Sequence, residues 1–313
     1  MTAKQRRLST ITRSEFQSEL FSSPCLEVLV DEKRLRYVLS NSHSAARVET
    51  LFEKEPTTIP WLESIKPDET LVDIGANVGM YSIYAAVMTG CRVFAFEPES
   101  LNYAELNKNI VANRLHGRIV AICMALSDEE KVDYLNLGCF GASYSHHDFG
   151  ENTWVEDKWF GDKFTSKGAR LRQGSVSSTL DLLVERGVLP VPDHVKIDVD
   201  GIEHRVFAGA RRTFSNPSVQ TVLMELNFFD DRNQAVIEAM TAMGWKFSWA
   251  QLRTNRKKIL TTEYIEKIRR EHRGGFNYIF FRDDRYERLF DDYLSGFEPP
   301  WAHKTARPTD ASQ

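Results

Sequence analysis

Through the middle of the chain, short apolar runs alternate with stretches whose apolar residues recur at helical spacing. The runs Thr70 to Ile74, Arg92 to Phe96, Arg118 to Met124, His194 to Ile197 and Thr221 to Met224 are brief and largely apolar, as buried parallel strands are. Between them, Met80 to Thr89 is apolar nearly all round, which predicts a helix packed on a sheet, and Gly90 is placed to cap it. Tyr103, Leu106 and Ile110 predict an amphipathic second helix. Ser178 with Asp181 resembles a capping box opening a helix from Leu180 to Arg186, which Gly187 ends. Val206, Phe207 and Ala210 stripe one further helix, which Pro217 ends. Val236, Ile237, Met240 and Met243 stripe another, begun by Asp231 and closed by Gly244, and this methionine stripe reads as core. Strand and helix in alternation imply right-handed crossovers and a parallel sheet that binds ligands at the carboxyl ends of its strands.

The alternation breaks in three places. Residues 1–60 hold strand-like pieces at Leu26 to Val30 and Arg36 to Leu39 followed by a polar run, read as an amino-terminal cap, with a loose tail as the other reading. Lys131 to Leu137 and Leu171 to Val176 suit a pair of strands. Between them, a segment of about 138–170 carries Tyr144, His146, His147, Trp154, Trp159 and Phe160, and a connection of that length and aromatic content predicts a lid over an acceptor. Its histidines are either bases near neutral pH or a solvated pair. Lys246 to Ala250 and Phe276 to Phe281 then read as a terminal strand pair, around a basic run, Arg253 to Arg273, that is a solvated helix face or a phosphate contact. The main domain so delimited is 61–282, and 283–313 is expected to give a carboxy-terminal helix and a disordered tail.

Composition narrows the class. A chain of 313 residues that is 42% hydrophobic has ample material for a core, and a formal charge of -4 gives no whole-molecule attraction to nucleic acid or acidic membrane. Cys25, Cys91, Cys123 and Cys139 have no C-x-x-C spacing and read as buried free thiols in a reducing compartment. No apolar run is long enough to span a bilayer, so a soluble, cytoplasmic protein is expected.

The chemistry concentrates at Thr70 to Ser82, TLVDIGANVGMYS, and at Glu97, which ends the next strand. Gly75 and Gly79 let a ligand lie against the main chain, and Glu97 is placed about twenty residues on, like an acid that holds a ribose diol. A dinucleotide fingerprint needs a further glycine where Asn77 stands, and no Gly-Lys-Ser/Thr follows for a phosphate loop. The turn suits a ligand with a ribose, no phosphate and an amino-acid end, which is S-adenosylmethionine. Asp198, Asp200 and Glu203 crowd the end of the fourth strand; they are proton acceptors, a counter-charge or metal ligands in one reading, and turn and helix-start residues in the other. Function is the preferred reading for Asp198 and the helix start for Glu203.

LVDIGANVGMYS, FAFEPES, ALSDE at Ala125 to Glu129, VKIDVDGIEHRVFAGA at Val195 to Ala210 and NYIFF at Asn277 to Phe281 together resemble the FkbM family of S-adenosylmethionine-dependent methyltransferases. Asp200, where that family often has glutamate, and Asn227, where histidine is common, depart from its pattern. The resemblance implies a doubly wound, mostly parallel seven-stranded α/β sheet of the Rossmann-like methyltransferase class, with the cap and an inserted hairpin or lid. It implies that Asp73, Gly75, Asn77 and Gly79 hold the amino-acid end of the donor, Glu97 holds its ribose and Ser127 lies by its adenine, with Ser82 and Asp198 also among the cofactor-binding residues. Asp198 with Glu225 or His146 would orient or deprotonate a sugar or natural-product hydroxyl, without a metal. The rival classes are a non-catalytic binding or scaffold protein on this fold and a nucleotide-dependent oxidoreductase.

Overall fold

A computed structural model of the chain describes residues 10–18, 21–52, 54, 55, 57–150, 171–227, 229–248 and 275–290. From the amino end, β1 (Thr10–Gln17), β2 (Ser22–Val30) and β3 (Lys33–Val38) form an antiparallel three-stranded meander. Helices α1 (Ser42–Glu49) and α2 (Thr58–Glu63) follow, so the polar run after the meander is partly helical, a helix its polar composition conceals. The core alternates β4 (Thr70–Ile74), α3 (Met80–Thr89), β5 (Arg92–Phe96), α4 (Ser100–Ala112) and β6 (Ile119–Ile122), the last shorter than the apolar run suggests. An insertion comprises β7 (Ala125–Leu126), β8 (Lys131–Leu137), β9 (Asp148–Phe149) and β10 (Leu171–Ser178). The core resumes with α5 (Leu180–Glu185), β11 (His194–Ile197), α6 (Glu203–Ala208), α7 (Arg211–Ser215), β12 (Thr221–Asn227), α8 (Asp231–Ala242) and β13 (Gly275–Phe281).

The main sheet has the order β13-β12-β11-β4-β5-β6, parallel except for β13. Among the described residues it has six strands; of the expected strand from Lys246 to Ala250, Lys246 forms an antiparallel bridge with Phe281, and 249–274 lie outside the described residues. Alternate side chains point to opposite faces. Leu71, Val93, Ala95 and Leu223 face α3, α4 and the meander, whereas Val72, Phe94, Phe96, Val195, Val222 and Met224 face the elements from α5 to α8. Both faces are therefore covered, as a doubly wound sheet requires.

The meander docks by side chains that satisfy its outer strand. Asn109 Oδ1 accepts from Val38 N at 2.7 Å, and Asn113 Oδ1 accepts from Arg36 N at 2.8 Å. Four residues apart on α4, these amides meet an edge strand that would otherwise leave donors unpaired. Tyr37 adds a hydroxyl bond to Met80 O at 3.0 Å.

Two expected details change. The α5 cap is Thr179, whose side chain accepts from Leu182 N at 3.0 Å, rather than Ser178, which is the last residue of β10. The helix expected around Val206 is two short helices, α6 and α7. The pairing of β8 with β10 is antiparallel, as their alternation predicts, and β9 extends that sheet on the β8 side. Of the four thiols, Cys25 and Cys91 are buried, but Cys123 is exposed because β6 ends one residue before it.

Candidate active site

The turn after β4 is shaped by backbone that side chains would obstruct. Gly75 has φ 79°, and a Cβ there would stand 1.9 Å from Asp198 O, so only glycine lets β4 and β11 end this close together. Asn77, at φ 52°, donates its backbone N–H to Glu97 Oε2 at 2.7 Å and its side-chain amide to Tyr144 O at 2.6 Å. Glu97 also accepts Glu99 N at 2.9 Å. Burial pushes its carboxyl up to about 7, against the pull of these two amides.

Behind the turn sits a buried ionic cluster. Lys196 Nζ lies 3.0 Å from Asp198 Oδ2 and 3.6 Å from Asp73 Oδ1, and Ser82 Oγ donates to Asp73 Oδ2 at 2.6 Å. Burial raises Asp73 despite Lys196. Burial would also raise Asp198, but Lys196 outweighs it, helped by a hydrogen bond from Glu225, and holds the carboxyl well below its usual range. Glu225 goes the other way, pushed well up by burial and by the charge of Asp198. The pair is thus biased in opposite directions, Asp198 toward the ionised form and Glu225 toward the protonated one.

Asp200, at φ 58°, faces the insertion. Its Oδ2 accepts His146 N at 2.7 Å, and its Oδ1 lies 3.6 Å from His146 Nδ1. Burial, then Asp198, raises the Asp200 carboxyl. His147 is more enclosed; burial, then His146, lowers its imidazole to about 4 and keeps it neutral. Glu203 opens α6, as expected, and its Oε1 accepts Gly201 N at 3.0 Å and Val199 N at 3.3 Å from the turn before it.

These walls enclose a cavity of about 310 Å³ at the carboxyl ends of β4, β5, β11 and β12. Gly75, Asn77, Glu97, Asp198, Glu225 and His146 all line it, together with Met124 to Leu126. Asp73 and Ser82 lie behind it, bonded to each other. Gly79 caps α3 in the left-handed region, where a Cβ would meet Leu106 Cδ1 at 2.4 Å. Ser127 is fully buried and its hydroxyl donates to Asp128 Oδ1 at 2.9 Å; it is not among the residues facing the cavity, a place its neighbours from Met124 to Leu126 take. The expected lid residues Trp154, Trp159 and Phe160 and the basic run lie outside the described residues.

Sequence reasoning missed Lys196, Arg47 and Lys54. Lys196 stands two residues before Asp198 on an inward-facing strand position, the one available signal for it. Arg47 and Lys54 line the cavity from the amino-terminal segment, and no spacing in the sequence links them to β4. No group of three or more His, Cys, Asp or Glu is arranged to hold a metal ion among the described residues, and no helix there is long and apolar enough to cross a membrane.

The Methyltransferase FkbM domain matches residues 73–249. The 31-O-demethyl-FK506 methyltransferase FkbM of Streptomyces tacrolimicus is 26% identical over 196 residues, covering 58% of this chain and 74% of that protein. The hexuronic acid methyltransferase AglP of Haloferax volcanii is 24% identical over 192 residues, covering 61% of this chain and 70% of that protein. Among solved structures, an FkbM methyltransferase of Methylobacillus flagellatus KT aligns at a TM-score of 0.44 and 13% identity, covering 76% of this chain and 51% of that one.

Proposed function

Because this chain belongs to the FkbM family of S-adenosylmethionine-dependent methyltransferases, we propose that it methylates a hydroxyl of a sugar or other natural-product acceptor. The observation that carries this reading is the single cavity lined by Gly75, Asn77 and Glu97 on one side and by Asp198, Glu225 and His146 on the other. The lining suits the donor, since the Gly75 to Asn77 turn and the Glu97 carboxyl border one cavity and the turn offers no phosphate-binding glycine at Asn77. The two relatives, named for an FK506-type compound and a hexuronic acid, support an acceptor of natural-product or sugar class.

When bound, the donor supplies an electrophilic methyl on a cationic sulfur. Gly75 and Asn77 would hold its amino-acid end, and Glu97 would accept hydrogen bonds from its ribose. Asp198, kept ionised by Lys196, supplies negative charge beside the cation, while protonated Glu225 donates a hydrogen bond within the pair. His146 takes the acceptor hydroxyl proton on one ring nitrogen, with Asp200 fixing its backbone and facing its Nδ1. Holding the acceptor oxygen in line and excluding water contributes the rest.

The test is a methyl-labelled donor offered with a panel of sugars and hydroxylated natural products. Label on an acceptor oxygen with equimolar S-adenosylhomocysteine is expected, with kcat about 10²- to 10⁴-fold lower in His146→Ala. Label on carbon or nitrogen, or donor binding without transfer to any acceptor in the panel, overturns the proposal.

A further inference from the structure

We infer that Arg47 and Lys54 form a carboxylate-binding subsite that the amino-terminal segment contributes to the donor pocket. The inference rests on the donor-site reading above and extends it to residues outside the matched domain, which begins at Asp73.

Beside the main cavity lies a chamber of about 40 Å³, lined by the Gly75 to Asn77 turn, by three cations, Arg47, Lys54 and Lys196, and by one anion, Asp198, which Lys196 pairs at 3.0 Å. A water occupies about 30 Å³ of liquid and benzene needs a cavity of about 150 Å³, so the chamber admits a small polar group but no ring. Arg47 and Lys54 also line the main cavity, so the two spaces meet along them.

Arg47 is held ready. Its helix, α1, is capped by Asn41, which accepts Ser44 N at 3.0 Å and donates to Ala142 O at 2.8 Å. Ser44 Oγ donates to Glu105 Oε1 at 2.7 Å, tying α1 to α4. Arg47 Nε donates to Ser143 O at 2.6 Å, and among the described residues its two terminal nitrogens make no protein hydrogen bond. A half-buried guanidinium that lines the chamber, is fixed at Nε and has its terminal donors unspent on the described residues suits the forked geometry of a carboxylate. Lys54 pairs with Glu55 at a loose 3.5 Å, and Glu55 is already engaged by Thr58 and Asn277. The donor has one anionic group, its α-carboxylate, on the amino-acid end that the turn from Gly75 to Asn77 faces.

The test measures binding to the full chain by calorimetry, using S-adenosylhomocysteine and its decarboxylated analogue, which keeps the amine. The wild-type chain is expected to prefer S-adenosylhomocysteine. Arg47→Gln should weaken that ligand about 10- to 100-fold and leave the analogue unchanged, closing the gap between them. Arg47→Lys should recover part of the loss, and Lys54→Gln should show a smaller loss of the same selectivity. Equal weakening of both ligands by Arg47→Gln, or none, overturns the subsite while leaving the donor site standing. So does a variant that binds S-adenosylhomocysteine normally but loses acidic acceptors, because the anion read is then the acceptor's. Failure of the wild-type chain to bind either ligand overturns the donor-site reading itself.

Discussion

Lys196→Met removes the cation that Asp73 and Asp198 share while keeping most of the side-chain volume. Lys196 is 2% exposed and Asp73 1%, so removing the ammonium strands the Asp73 carboxyl in the interior, while Asp198 still borders the cavity. Deleting one partner of a buried ion pair costs about 3–5 kcal/mol, and at about 2 °C per kcal/mol for a chain of this size the melting temperature should fall by roughly 6–10 °C. The pH dependence identifies the cause. Asp198 is held below its unfolded value in the native chain, so it contributes stability that is present above about pH 4 and lost as the pH falls further. Without Lys196 that carboxyl is pushed upward by burial and no longer contributes. The gap between the two chains should therefore be widest at neutral pH and above and close as the pH falls below about 4 in urea denaturation. A variant within about 1 kcal/mol of the native chain at neutral pH, or a gap that does not change with pH, would refute the ionic account of this cluster.

Gly75→Ala should destabilise the chain by roughly 3 kcal/mol or more and abolish donor binding, since its Cβ would stand 1.9 Å from a backbone oxygen; urea denaturation and calorimetry report both. Glu97 rises to about 7 in the folded chain, so its carboxylate is available to accept from the ribose only above that value; S-adenosylhomocysteine should bind more tightly as the pH rises through about 7, and Glu97→Gln should flatten that step. The same raised value makes Glu97 a source of stability lost between about pH 4 and pH 7, present below and fading as it ionises. At the opposite end of the sheet, Glu69 accepts from Lys66 N at 2.7 Å and from Gln220 at 2.8 Å, and lies 3.1 Å from His194 Nε2. Burial alone would raise its carboxyl, but these bonds hold it far below normal, so Glu69→Ala should cost about 3 kcal/mol at neutral pH and much less below about pH 4, read by urea denaturation.

Local pattern by itself determined the parallel core. Thr70 to Ile74, Arg92 to Phe96 and His194 to Ile197 fold as the strands their apolar runs predict, and Met80 to Thr89 is the helix between the first two, because such signals are complete within one element. The glycine turn and Glu97 were legible for the same reason: a tight strand-to-helix connection constrains residues only a few positions apart. Contacts distant in sequence were decided by the tertiary structure. The amides of Asn109 and Asn113 show their purpose only once β3 lies beside α4, and β1 and α1 carry too little apolar periodicity to announce themselves. The opposite bias of Asp198 and Glu225 toward charged and neutral forms depends on Lys196 being buried between Asp73 and Asp198. Arg47 and Gly75 line the same chamber though they are distant in sequence. Electrostatics and cavity shape depend on distances in space, and residue order fixes those only after the chain has packed.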